Sequence, residues 1–378
     1  MVLDFETSRF PDGSAYRQEA KAISWADEEG FHYYSDPDFV SALQVSLDKA
    51  KLLIGVNVKY DIAWARRLGC ILPEKMRVWD CQIAEYVMSG QTVSFASMEQ
   101  MCELYGIPGK EDAIAGYWAA NIETIDIPRA LVEEYNIGDI ARTLAIYKCQ
   151  LSDPRMTDQI KQLILLQGAD LLVLQEMEQN GIIYDCKGSI AKGNECITEI
   201  NSLKEKLYEY VDFEHFNFDS GDHLSCWLYG GTVSVSRSVP EQRVYQSGLR
   251  KGEQYTINKT IEPAIKTFEG LFKPLPKTAL KKEGFYQTGE PILKQLKGGG
   301  KEGRLVLQSL LRLAELSKQV GSFLHALPNL MSNMGWQQST LHPTYNQCVA
   351  RTGRLSCSKP NAQQFDEVTD GFWISRFL

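Results

Sequence analysis

The chain has 378 residues, 40 Lys and Arg against 48 Asp and Glu, and a formal net charge of −8. With 44% hydrophobic and 23% charged residues it has the make-up of a folded protein, which excludes wholesale disorder and collagen-like repeats. No apolar run reaches the roughly 18 residues needed to cross a bilayer, and MVLDFETSRF lacks the basic and apolar stretches of a secretory signal. Nine cysteines, an odd number without a CxxC pair, argue against a disulfide framework or structural zinc. A reducing, cytoplasmic setting without a membrane partner is expected. The charge is uneven. Residues 1–150 carry 14 basic and 23 acidic side chains, whereas 231–304 carry 14 basic and 7 acidic. Such an imbalance suggests cation binding in the first segment and a polyanion at the second, against the plainer reading of a solvated basic loop.

The length suggests two to three domains. In chain order, VLDF, KAISWA and KLLIGVNV read as strands. DPDFVSALQVSLDKA, YDIAWARRLG, VWDCQIAEYVMSG and IPRALVEEYNIGDIARTLAIYKCQLS read as helices. Asp36 and Pro37 look like a helix start. The mixture predicts an α/β fold over residues 1–155. DQIKQLILLQGADLLVLQEMEQNG then forms a long helix ended by Asn180-Gly181, ahead of a strand at IIYD, making 156–195 a junction. ECITEINSLKEKLYEYV and RLVLQSLLRLAELSKQVGSFLHAL carry apolar residues at spacings of three and four. They are expected to pair antiparallel as a mainly helical domain over 196–335, each roughly 30 Å long. Between them lies the basic tip 231–304, whose aromatics (Tyr245, Tyr255, Phe268, Phe272) read as a small satellite core rather than a stacking platform. The closing DGFWISRFL reads as an apolar strand within a last segment, 336–378.

Asp4 and Glu6 lie two apart on a strand and share a face; Tyr135 and Asp139 lie four apart on a helix and share a stripe. Asn57 and Asp61 follow a buried strand, where Asp61 alone would pass for a helix cap. Together these residues resemble the three motifs of the DEDDy 3′→5′ exonucleases, a ribonuclease H-like fold. The resemblance implies two-metal phosphodiester hydrolysis, for which hard Mg²⁺ or Mn²⁺ ions take carboxylate oxygens. By it, Asp4 bridges both ions, Glu6 and Asp139 complete the first site, and Asp61 holds the second. Tyr135 positions the attacking water and Asn57 supports the terminal nucleotide.

Beyond residue 160 the chain resembles the polymerase region of family-A DNA polymerases in a phage-like form. The match runs through LQEMEQNGIIYD, FNFDSGDHLSCWLYGG, KKEGFYQTGEPILKQL and, most specifically, LHPTYNQCVARTGRLSCSKPNAQQF. It implies a thumb (196–335) and the start of a palm (336–378), with primer–template DNA as partner. Arg354 would reach the minor groove at the primer end, and Asn361 and Gln363 would contact the template–primer. Ala362 and Gln364 depart from the family's usual Leu and Asn. The family's palm metal-binding Asp, Lys-bearing fingers helix and second catalytic Asp have no counterpart here. The expectation is therefore the N-terminal part of a split or truncated polymerase, with a second polypeptide supplying the rest and docking at Phe372, Trp373, Ile374 and Phe377. The rivals are a stand-alone DEDDy exonuclease acting on RNA or single-stranded DNA, and a non-catalytic DNA-binding subunit.

Overall fold

The computed structural model describes residues 1–10, 15–109, 114–248, 250–337, 339–365 and 371–372. In chain order the first elements are β1 (Asp4–Thr7), β2 (Ala22–Ala26), β3 (Phe31–Tyr33), α1 (Phe39–Lys49), β4 (Leu52–Gly55), α2 (Val58–Arg67), β5 (Arg77–Asp80) and α3 (Cys81–Met88). They continue with α4 (Met98–Tyr105), α5 (Ala115–Ala119), α6 (Arg129–Ser152), α7 (Asp158–Asn180), β6 (Ile182–Ile183) and α8 (Cys186–Val211). Then come α9 (Gly221–Tyr229), β7 (Gly231–Val244), β8 (Gln254–Phe268), α10 (Glu290–Leu293) and α11 (Gly300–Gln319). The last are α12 (Ala326–Asn333), β9 (Thr340–Leu341), β10 (Thr344–Asn346) and β11 (Ser356–Ser358). These elements divide into two compact units, Met1–Gly188 with Ala326–Leu378, and Ser189–His325.

In the first unit β1, β2 and β3 form an antiparallel ladder and β4 pairs parallel with β5. The two ladders are stitched side by side by Leu3 N–H donating to Ile54 O (3.1 Å) and Ile54 N–H donating to Met1 O (2.9 Å). The order β3-β2-β1-β4-β5 thus puts β1 in the centre, buried on both sides by Val2, Leu3 and Phe5. VWDCQIAEYVMSG is not one helix, as its apolar pattern suggested, but strand β5 followed at once by α3. Asp80 makes the joint: its Oδ1 accepts the Gln82 and Ile83 N–H groups, capping α3, while its Oδ2 accepts Val58 N–H at the start of α2. Asp36 is likewise no helix cap. It accepts Tyr33 N–H and pairs bidentately with Arg129, and α1 begins after Asp38 without a side-chain cap. Helix α7 crosses β5 so closely that a Cβ on Gly168 would lie 2.2 Å from Val78 O, so only glycine fits there. As expected, α7 ends at Gly181, whose φ of 64° the Cβ of another residue would resist.

The closing segment belongs to this unit. β9 pairs antiparallel with β6, and β10 with β11. Lys59, on α2, donates to Glu178 Oε1 (2.7 Å) and to Tyr345 O (2.6 Å), while Tyr345 N–H returns to the same carboxylate oxygen (2.7 Å). Gly371 and Phe372 are described, and Phe372 O accepts Asp185 N–H (2.8 Å). The expected apolar contact residues Trp373, Ile374 and Phe377 lie outside the described residues.

In the second unit α8 and α11 do run antiparallel. Arg312 on α11 grips Glu199 on α8 with two bonds (2.8 and 3.0 Å), and Ser189 Oγ–H donates to Leu324 O (2.8 Å) near the other end. Their apolar stripes meet around Leu207, Val211, Val306, Leu310 and Leu313. The helical pattern expected of 304–327 is interrupted by a wider turn at Val320–Leu324. The basic tip differs from expectation most: β7 and β8 form a long hairpin, with Val233 buried at its root and most of its outer residues exposed. Phe272 is buried in the core this unit shares with its stem helices and Phe268 packs against it, so neither belongs to the separate small core expected at the tip. Tyr245 and Tyr255 instead pack on each other at the far end of the ribbon, with 4.3 Å between centroids and their planes tilted by 32°.

Candidate active site

Central strand β1 alternates, so Phe5 points into the core while Asp4 and Glu6 point together toward α6. Helix α6 offers Asn136 and Asp139 to that face at a spacing of three. Asn136 Nδ2–H donates to Asp4 Oδ2 (2.6 Å) and to Asp4 O (3.3 Å), and Ser24 Oγ–H donates to Asn136 Oδ1 (3.2 Å). The carboxylates of Asp4, Glu6 and Asp139 each offer an oxygen within 4.8 Å of the others. Three hard oxygen donors at that range suit a divalent cation, and the residues fit the metal that sequence reasoning assigned them. Asp139 is buried and receives Arg142 Nη2–H at 2.7 Å.

Asp61 comes from the first turn of α2 and is fully buried, outside that three-carboxylate set. Its Oδ1 accepts Phe5 N–H (3.0 Å), fixing the strand between the two acids. Burial, and then the negative charge of Asp4, push its carboxyl well above the usual range. Beside it, Tyr60 shares a 2.6 Å hydrogen bond with Thr7. Tyr135, one turn before Asp139, packs its ring edge-to-face with Trp118 (5.3 Å, 81°). Asn57 sits just ahead of α2 in the left-handed region (φ 58°, ψ 41°), because Asp80 already takes the capping bonds there. It lines a cleft of about 310 Å³ together with Tyr16, Tyr60, Trp336, Asn346 and Ser358.

The remaining sequence-predicted residues lie on the closing segment. Arg354 is exposed in the loop before β11, and that loop is held by Tyr86 O–H donating to Ala350 O (2.7 Å). Asn361 Oδ1 accepts Gln363 N–H (3.2 Å), so it caps its own turn, with Gln363 exposed beside it. Sequence reasoning missed Asn136 and Arg142. Both lie on the stripe that carries Tyr135 and Asp139, and helical spacing alone would have found them.

The first unit is thus a mixed α/β body with three carboxylates gathered at its central strand, and the second carries a paired-helix stem and a two-stranded basic ribbon. The family model "DNA polymerase family A" matches residues 265–371. The DNA polymerase I of Bacillus caldotenax is 20% identical over 330 residues, covering 87% of this chain and 31% of the relative. That of a Synechocystis species is 30% identical over 179 residues, covering 47% of this chain and 16% of the relative. A solved structure, the POL domain of Pol1 from M. smegmatis in complex with DNA primer-template and dNTP, has a TM-score of 0.64 at 19% identity. It covers 97% of this chain and 52% of its own, and shows a shared fold. The chain thus spans a third or less of the curated relatives it matches. Among the described residues no helix is long and apolar enough to cross a membrane.

Proposed function

We propose that this is a family-A-polymerase-like, DNA-handling enzyme body. Residues 1–155 act as a ribonuclease H-like, DEDDy-type 3′→5′ exonuclease, and the thumb and early palm residues (196–378) hold primer–template DNA. The observation that carries the reading is the convergence of Asp4, Glu6 and Asp139 within 4.8 Å, between a central strand and the helix that also bears Tyr135. Asp4, Glu6 and Asp139 would hold divalent cations, Mg²⁺ or Mn²⁺, and Asp61 would support a second ion. When bound, such a pair supplies an activated water and neutralises charge on the leaving oxygen. The chain's own groups do the rest. Asn136 orients Asp4, Arg142 steadies Asp139, and Asp61 locks β1 in register through Phe5 N–H. Tyr135 orients the attacking water by hydrogen bonding, and Asn57 receives the terminal nucleotide from the cleft it lines. Arg354, with Asn361 and Gln363, contacts the duplex end, a geometry check that needs no sequence choice.

The test is digestion of a 5′-labelled single-stranded DNA in Mg²⁺, compared with EDTA. Asp4→Ala and Asp139→Asn should each abolish it, and unchanged digestion by either variant would remove the assignment. Preference for RNA over DNA would point to an RNA-degrading enzyme instead.

A further inference from the structure

We infer that Trp118 and Arg9 are positioning residues for Tyr135, and that they set the angle at which its phenol meets the scissile linkage. This inference rests on the exonuclease reading. Helix α6 fixes the Cα of Tyr135, but its two side-chain torsions must still be held. Beneath the ring lies an apolar cluster of Ile23, Tyr33, Ile114, Ile127 and Val132, which supplies burial without direction. Trp118 adds a directional contact, its indole meeting the phenol ring at 81°.

Trp118 is itself held by the strand that carries the acids. Arg9, three residues beyond Glu6, donates from Nη1 to Trp118 O (2.6 Å), and its guanidinium lies 5.5 Å from the centre of the indole ring. The Arg9 backbone N–H also donates to Glu123 Oε2 (3.1 Å), tying the far end of the same segment. Two carboxylates and the tyrosine are therefore referenced to one stretch of backbone, residues 4–9. A misplacement of about 1 Å in a reacting geometry costs on the order of 100-fold in rate, so a hinge here acts on turnover rather than on binding.

The test is a double-mutant cycle on the full chain, with a 5′-labelled single-stranded DNA 20-mer and Mg²⁺, reading kcat and KM separately. Trp118→Ala should lower kcat by about 10- to 100-fold with KM within about 2-fold, and Trp118→Phe should recover to within about 3-fold. Arg9→Met should lower kcat by about 3-fold. In a Tyr135→Phe background, Trp118→Ala should cost less than about 2-fold more, because the group it positions has gone. Full additivity in that cycle, or a Trp118→Ala effect confined to KM, overturns the inference. Should Trp118→Ala fail to fold, Trp118→Phe and Arg9→Met carry the same cycle. A wild-type chain that digests nothing sinks the nuclease reading and this inference with it, whereas an active wild type with an additive cycle sinks the inference alone.

Discussion

The Lys59–Glu178 pair lends itself to a quantitative prediction. Lys59 sits two residues before Asp61, and its side chain is 16% exposed against 5% for Glu178. Replacing it by Met keeps the stem's bulk but removes the charge and both hydrogen bonds, leaving the carboxylate with Tyr345 N–H and the Tyr16 hydroxyl but without its lysine. Stranding one member of a buried pair costs about 3–5 kcal/mol. For a unit of this size each kcal/mol lowers Tm by about 2–4 °C, so Lys59→Met should melt about 6–20 °C lower. The double variant Lys59→Met/Glu178→Gln removes the stranded charge and should recover a substantial part of that loss. Urea denaturation followed by tryptophan fluorescence, alongside a thermal melt, measures both. A loss below about 1 kcal/mol for the single variant, or a double variant no more stable than the single, would refute the reasoning.

Three further outcomes follow from packing and capping. Gly168→Ala should destabilise by about 1–3 kcal/mol in a urea titration, because the clash with Val78 O outweighs the roughly 1 kcal/mol of helix propensity that alanine contributes. Asp80→Ala should cost about 2–4 kcal/mol in the same titration, since three backbone N–H groups lose their acceptor and two helices their start. His342 is stacked on Tyr16 and hydrogen-bonded through Nδ1 to Glu178 O, and burial holds its pKa below the ordinary 6.5. The unfolded chain therefore takes up the proton first. This contribution is complete above about pH 6.5 and is lost as pH falls toward the folded value, so stability measured from pH 7 to 5 should fall more steeply in the wild type than in His342→Asn.

What could be read from sequence was what repeats locally. Asp4 with Glu6 follows the strand period and Tyr135 with Asp139 the helix period, so the partners of the acidic site announce themselves over a few residues. The stem was legible for the same reason, its apolar stripes being long. β5 was not, because the strand runs into α3 without a turn and Asp80 closes one element while opening the next. The ribbon was legible in principle, since Val233, Val235 and Val239 and then Tyr255, Ile257 and Ile261 recur at strand spacing, but the alternation is broken by Arg237 and Lys259 and was masked by the segment's charge. Lys59 with Glu178 is separated by 119 residues, and no local pattern encodes such a meeting. The same holds for Arg9, 109 residues from the indole it holds.

Among the described residues the ribbon has two strands and no interior one, which leaves its flanks as edges that another chain could recruit. Pro240 in β7 and Pro263 beside the register shift of β8 each withhold the N–H that an incoming strand would bond. Arg243 and Lys259 both pair with Glu241, which keeps that stretch of the ribbon charged and polar rather than apolar. Restoring those N–H groups with Pro240→Thr and Pro263→Thr should turn a self-limiting projection into a template for fibre-like growth, visible as concentration-dependent light scattering. Clear solutions at every concentration would mean that the prolines guard nothing.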